Sequence, residues 1–61
     1  MTGHLRASDA ERDAVVARLA RALRDGRLTL AEFEARSEAA YAAKTHAQLE
    51  ILTTDLPPTI W

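Results

Sequence analysis

The 61-residue chain contains no cysteine, which rules out disulfides and thiolate metal ligands as a means of stabilising it. It has two glycines, so a glycine-rich phosphate-binding loop is also excluded. No stretch approaches the roughly 20 apolar residues of a membrane span, and the N-terminus lacks the long apolar region of a signal peptide. A domain this small buries only a thin core. We therefore expect self-association or attachment to a larger protein to contribute to its stability.

Catalytic groupings are missing as well. Ser8 and Ser37 do not sit in a Gly-x-Ser-x-Gly turn, and His4 and His46 show no metal-binding helical spacing. We therefore predict that the chain is not an enzyme and that it binds no cofactor or metal.

The charges are unevenly distributed along the chain. The net charge is −1, but residues 1–27 hold six arginines against four acids, whereas residues 28–61 hold two bases against five acids. Such an asymmetry favours intramolecular or head-to-tail pairing over binding to a polyanion. We therefore predict a protein partner and do not favour nucleic acid.

Three capping boxes predict three helix starts, since each places a Ser or Thr three residues before a Glu or Gln. Nothing in the sequence predicts a sheet. The fold class is therefore all-α, a small three-helix module with helices at about 9–25, 30–43 and 46–54. The capping residues are Ser8 with Glu11, Thr29 with Glu32, and Thr45 with Gln48.

The segment between the first two helices is predicted to be a tight hinge. Gly26 can adopt the left-handed conformation that closes a helix. Leu28 and Phe33 occupy the two positions of a hydrophobic staple around the cap of the next helix. The sequence Gly-Arg-Leu-Thr therefore encodes both the end of the first helix and the start of the second.

Helical spacing predicts which side chains face the core. Ser37 lies among them, and we expect its hydroxyl to bond to the carbonyl four residues earlier. Arg12 also lies in the core stripe, so we expect it to pair with a carboxylate from elsewhere, Asp55 or Glu32. The predicted core positions are Val15, Val16, Leu19 and Leu23, then Leu30, Phe33, Ser37, Ala40 and Tyr41, and finally Leu49, Leu52 and Leu56.

Two further stripes lie on the predicted outer faces. Arg18, Arg21 and Arg24 are interpreted as a solvated helix face, with nucleic-acid contact as the alternative. On helix 2, helix propensity alone is sufficient to explain a stripe of alanines, and the alternative is the close approach of another helix. This candidate interface consists of Ala31, Ala35, Ala39 and Ala42, and its rival consists of Tyr41, Ile51 and Trp61.

Three segments, residues 5–12, 25–36 and 55–57, resemble the SHOCT-like domain of unknown function, family 1707. They carry the Arg-Ala-Ser-Asp opening, the Gly-Arg-Leu-Thr-x-x-Glu-Phe hinge and the Leu-Pro exit. The resemblance spans about Leu5 to Pro57, and members of that family are mostly actinobacterial. Ser37 is a departure, because the family pattern usually has a large apolar residue there.

The resemblance implies a non-catalytic helical module for protein interaction or oligomerisation. It also implies that the module is the N-terminal cytoplasmic part of a membrane-associated or envelope-stress protein, with the inner face of the membrane as a location and a membrane segment downstream. The alternative function is a small DNA-binding regulator. The predicted organisation is an N-terminal arm at 1–7, the domain at 8–56, and a tail or the start of a linker at 57–61.

Overall fold

The computed structural model describes residues 5–57 and shows an all-helical domain. Helix α1 spans Asp9–Arg24, α2 spans Leu30–Ala42 and α3 spans His46–Ile51. The all-α prediction is confirmed. The first two helices end within one residue of their predicted ends, whereas α3 stops three residues early.

The early end of α3 has a local cause. After Ile51 the chain continues as turns, and the hydroxyls of Thr53 and Thr54 donate to the carbonyls of Glu50 and Ile51, at 3.4 and 3.2 Å. Threonine side chains that bond to nearby carbonyls compete with continued helix. The prediction of helix to about Thr54 was therefore wrong by one turn.

Helices α1 and α2 make most of the helix-to-helix contacts. They form a helical hairpin, and the hinge is its connecting loop. The core is divided into two clusters. The first apolar cluster contains Ala7, Ala40, Ala43 and Leu49, with Val15, Val16 and Leu52 packed against it. The second apolar cluster contains Leu19, Ala22 and Leu28, with Val15, Phe33 and Leu56 packed against it.

Two predicted core residues of α2 are exposed instead. Leu30 is 60% exposed and Tyr41 is 58% exposed. The first apolar cluster joins Leu49 of α3 to Ala40 and Ala43, so α3 covers one flank of α2 and leaves the flank of Leu30 and Tyr41 uncovered. The helical spacing identified the buried arc of α2 but placed its centre too far toward that flank.

The segment before α1 is part of the folded domain. The amide of Ala7 donates to the carbonyl of Lys44 at 2.9 Å, and the amide of His46 donates to the carbonyl of Leu5 at 2.9 Å. These bonds form an isolated antiparallel bridge between Arg6 and Thr45, and Ala7 is buried. Residues 5–7, predicted as an arm, thus pair with the segment that enters α3. Residues 1–4 and the predicted tail beyond Pro57, with Trp61, lie outside the described residues.

Candidate functional site

All three capping boxes are present. The hydroxyls of Ser8 and Thr29 each accept from the amide of the Glu three residues later at 3.1 Å. The carboxylates of Glu11 and Glu32 accept from the cap amides at 2.8 Å. Thr45 and Gln48 repeat the arrangement at the start of α3.

These caps also set the protonation of their carboxylates. The amide of Ser8 lowers the pKa of Glu11, and the amide of Thr29 lowers the pKa of Glu32, because each N–H bonds to the charged form. Both glutamates therefore stay ionised to a lower pH than a free glutamate, and they serve as structural groups.

The hinge closes α1 through a complete Schellman motif. Gly26 has a φ of 78°, its amide donates to Leu23 at 3.1 Å, and the amide of Arg27 donates to Ala22 at 2.8 Å. An added Cβ at Gly26 would meet no atom within 4 Å, so the requirement for glycine is purely one of backbone conformation. Leu28 is buried and Phe33 packs against its cluster, where the staple positions both side chains.

Arg12 pairs differently from the prediction. Its Nη1 bonds to Asp9 of its own helix at 2.9 Å, and its Nε donates to the carbonyl of Ala43 at 2.8 Å. Asp55 and Glu32 were the wrong candidates. The side chain of Arg12 leans toward the N-terminus of α1, as helical side chains do. There it meets the carbonyl of Ala43, which lies just past the end of α2 and has no acceptor role within the helix.

Asp55 instead pairs with Arg36, a residue that the sequence did not single out. The guanidinium donates to both carboxylate oxygens, at 2.8 and 3.0 Å, and Nη1 also donates to the carbonyl of Leu52 at 3.1 Å. This pairing lowers the pKa of Asp55 and raises the pKa of Arg36, since the bonds favour the charged forms.

Arg18 was predicted to face solvent but is half-buried against the C-terminal turn. Its Nη1 donates to the hydroxyl of Thr53 at 3.2 Å, and its Nη2 donates to the carbonyl of Pro57 at 2.9 Å. Arg21 and Arg24 are exposed, as predicted. The difference arises because the C-terminal turn crosses α1 at the level of Arg18, which helical spacing does not reveal.

His46 adds a further tie that the sequence did not show. Its Nε2 contacts the Oε2 of Glu11, so the start of α3 is joined to the start of α1. Together with Arg12, Arg18 and Arg36, this contact connects residues 43–57 to the α1–α2 hairpin. These four ties were missed because each joins residues at least 16 positions apart.

Ser37 departs from its predicted role. Its Oγ is buried and has no hydrogen-bond partner, so the expected bond to the carbonyl four residues earlier is absent. A buried hydroxyl without a partner costs free energy. The Oγ of Ser37 is therefore a buried polar atom without a partner in the α1–α2 hairpin.

The α2 outer face, defined as Ala31, Ala35, Ala39 and Ala42, is exposed along its whole length. A shallow depression extends it toward α3, where Ile51 is 69% exposed. The residues lining this depression are Ala39, Ala42, Ala43, Gln48 and Ile51. The α2 outer face and Ile51 therefore form one continuous surface of small and aliphatic side chains.

A second concavity lies between α1 and α3. It has a volume of about 290 Å³, is open to solvent and is largely apolar. His46, Glu11 and Arg18 border it, but these three side chains already make the contacts described above. Among residues 5–57, no group of three or more metal-ligating side chains comes together.

The family model of the DUF1707 SHOCT-like domain matches residues 5–57, which includes all three caps and the hinge. The chain belongs to the DUF1707 family. The match begins at the residues that pair with the entry to α3 and ends at Pro57, which Arg18 holds.

Two relatives of this DUF1707 domain come from Mycobacterium tuberculosis. They are the uncharacterized protein MT0994 of strain CDC 1551 / Oshkosh and the uncharacterized protein Rv0966c of strain ATCC 25618 / H37Rv. Each is 46% identical over 52 residues, covering 85% of this chain. The chain spans about a quarter of the length of these relatives, at 26%. No solved structure matches it with significance.

Proposed function

We propose that this DUF1707 domain is a non-catalytic protein-interaction or oligomerisation module that binds through the α2 outer face. The observation that carries the proposal is the continuous exposure of four alanines together with Ile51. Small side chains allow two helix backbones to approach closely. A domain of this size also gains stability from burying additional surface.

The surrounding charges favour an antiparallel α2 pair. Glu34 and Glu38 are exposed on α2, and exposed Lys44 lies two residues beyond its end. In an antiparallel pair, the Lys44 end of one helix approaches the Glu34 region of the other. In such a pair, the positive end of each helix dipole also lies beside the negative end of the other, which is favourable.

The cellular setting is proposed from the family and from the length of the relatives. We place the domain at the N-terminal, cytoplasmic end of a longer membrane-associated or envelope-stress protein. The coverage of 26% of the mycobacterial relatives is consistent with a module inside a larger chain. None of the helices within residues 5–57 is long and apolar enough to cross a membrane.

Light scattering over a concentration series tests self-association. We expect the mass to rise above the 6.7 kDa of one chain at high micromolar concentration. The double variant Ala35→Glu with Ala39→Lys should keep the monomer mass, because it places charges on the α2 outer face. The matched control, Ala17→Glu with Ala20→Lys, alters exposed alanines of α1 and should associate as the unmodified chain does.

Two results would redirect this proposal. A strictly monomeric unmodified chain would eliminate self-association and leave only a heterologous partner helix. Tight binding to duplex DNA that weakens steeply with salt would favour the alternative, a small DNA-binding regulator. Arg12 and Arg18 already donate to backbone carbonyls of the domain, which reduces the number of arginines available for phosphates.

A further inference from the structure

The C-terminal strap, defined as residues 52–57, lacks the usual backbone support. Its amides at Thr53 and Leu56 bond only to carbonyls three residues earlier, Glu50 and Thr53, both at 3.1 Å. The carbonyls of Leu52 and Pro57 in the strap accept hydrogen bonds from the side chains of Arg36 and Arg18. The strap is thus fastened to the hairpin by the guanidinium groups of Arg18 and Arg36.

The strap covers a buried surface. Leu56 packs against the second apolar cluster, in which Leu19 is fully buried and Ala22 is 5% exposed. Leu52 of the strap also packs against the first apolar cluster, but the buried members of that cluster, including Ala7 and Leu49, lie outside the strap. Movement of the strap would therefore open one cluster and leave the core of the other in place.

The fastening is weak compared with what it covers. The side chain of Asp55 is 59% exposed and that of Arg36 is 23% exposed, so water competes for their ion pair. By contrast, the hairpin is closed by the Schellman motif, a capping box and apolar packing. A segment held by few buried contacts opens at a lower free energy than the core does.

We propose that the strap is a latch, fastened by Arg36 and Arg18, that opens as a unit and uncovers the second apolar cluster while the α1–α2 hairpin stays folded. The open form exposes the cluster around Leu19 and keeps the buried members of the first apolar cluster in place. This device is independent of the α2 outer face, so either proposal can fail without the other.

Thiol labelling tests the latch directly, because the chain has no cysteine of its own. Ala22→Cys places a thiol in the second apolar cluster, against which Leu56 packs, and Ala40→Cys places a matched thiol in the first apolar cluster, where Ala40 is fully buried. In the folded protein without denaturant, we expect Ala22→Cys to react at least about tenfold faster than Ala40→Cys. Equal rates, as for exposure through global unfolding alone, would overturn the proposal.

The role of the ion pair has its own test in the Ala22→Cys background. Asp55→Asn should accelerate labelling by about 1.4- to fivefold, the range typical of a partly exposed ion pair. Glu34→Gln makes the same change in charge on the exposed side of α2 and should leave the rate unchanged. An unchanged rate with Asp55→Asn would show that Arg36 does not fasten the strap.

Amide hydrogen exchange compares the strap with the two apolar clusters in the unmodified chain, so this test does not depend on the folding of a cysteine variant. The amides of Thr53 and Leu56 should exchange together and be less protected than those of Leu19 and Ala40 by at least about tenfold. Uniform protection across the four amides would overturn the latch.

Discussion

The α1–α2 hairpin and the C-terminal third, residues 43–57, are stabilised by different physical means. The hairpin has a helix stop and a helix start written into nine consecutive residues, and its second apolar cluster contains the fully buried Leu19. The C-terminal third has a six-residue helix and a strap, joined to the hairpin by Arg12, Arg18, Arg36 and His46. A helix of six residues is far too short to be stable alone.

This difference has a consequence for stability. Apolar packing closes the hairpin, whereas the C-terminal third combines the packing of Leu49 with polar ties that are partly exposed and individually weak. Changes in the hairpin should therefore affect the whole domain, and changes in the ties should be smaller and more local.

The largest effect is expected for Leu19→Ala. This residue is fully buried, so the change should lower the free energy of unfolding by about 3 kcal/mol through lost burial and a cavity. Urea unfolding followed by circular dichroism measures it. Leu30→Ala is the control, because Leu30 is 60% exposed, and should stay within about 0.5 kcal/mol of the unmodified chain.

Gly26→Val should have the next largest effect. The left-handed backbone at φ 78° costs a β-branched residue about 1–2 kcal/mol, and no neighbouring atom contributes to that cost. Gly26→Asn is the matched control, because asparagine tolerates this conformation better. Equal thermal midpoints for the two variants would show that the hinge does not depend on backbone strain.

Ser37→Ala should stabilise the hairpin by about 1 kcal/mol, since it removes a buried hydroxyl that has no partner. The same substitution at Ser8 should destabilise the chain by about 1 kcal/mol, because it removes the first capping box. Thermal melts of the two variants should therefore shift in opposite directions. Destabilisation by Ser37→Ala would indicate that this hydroxyl finds a partner in solution.

Acid should weaken the domain gradually. The pKa values of Glu11, Glu32 and Asp55 are all lowered below their usual range by amide or guanidinium donors. A carboxylate with a lowered folded pKa stabilises the protein above its unfolded pKa, and this contribution is lost as the pH falls through the folded pKa. The contribution of these three carboxylates should thus be constant near neutrality and decline below about pH 4.5.

Asp55→Asn sharpens this acid test. It should reduce the slope of unfolding free energy against pH in the acidic range, because one of the three carboxylates no longer titrates. Glu34→Gln, at a residue for which the structure shows no capping role, serves as the control. Matching slopes for the two variants would argue that Asp55 contributes nothing to acid stability.

The sequence by itself determined the helix starts and the hinge, because capping is a local property. Ser8, Thr29 and Thr45 each find their partner three residues away, and Gly26 needs only its own backbone freedom. The three helices and their order therefore follow from short-range chemistry.

The tertiary structure alone decided which flank of α2 is covered and which residues hold the C-terminal third. Leu30 and Tyr41 fit the helical spacing of a core but are exposed, since α3 packs toward Ala40 and Ala43 instead. Helical spacing fixes positions around one axis and says nothing about where a neighbouring helix lies. For the same reason, the partners of Arg18 and Arg36 depend on the path that the strap takes across the hairpin.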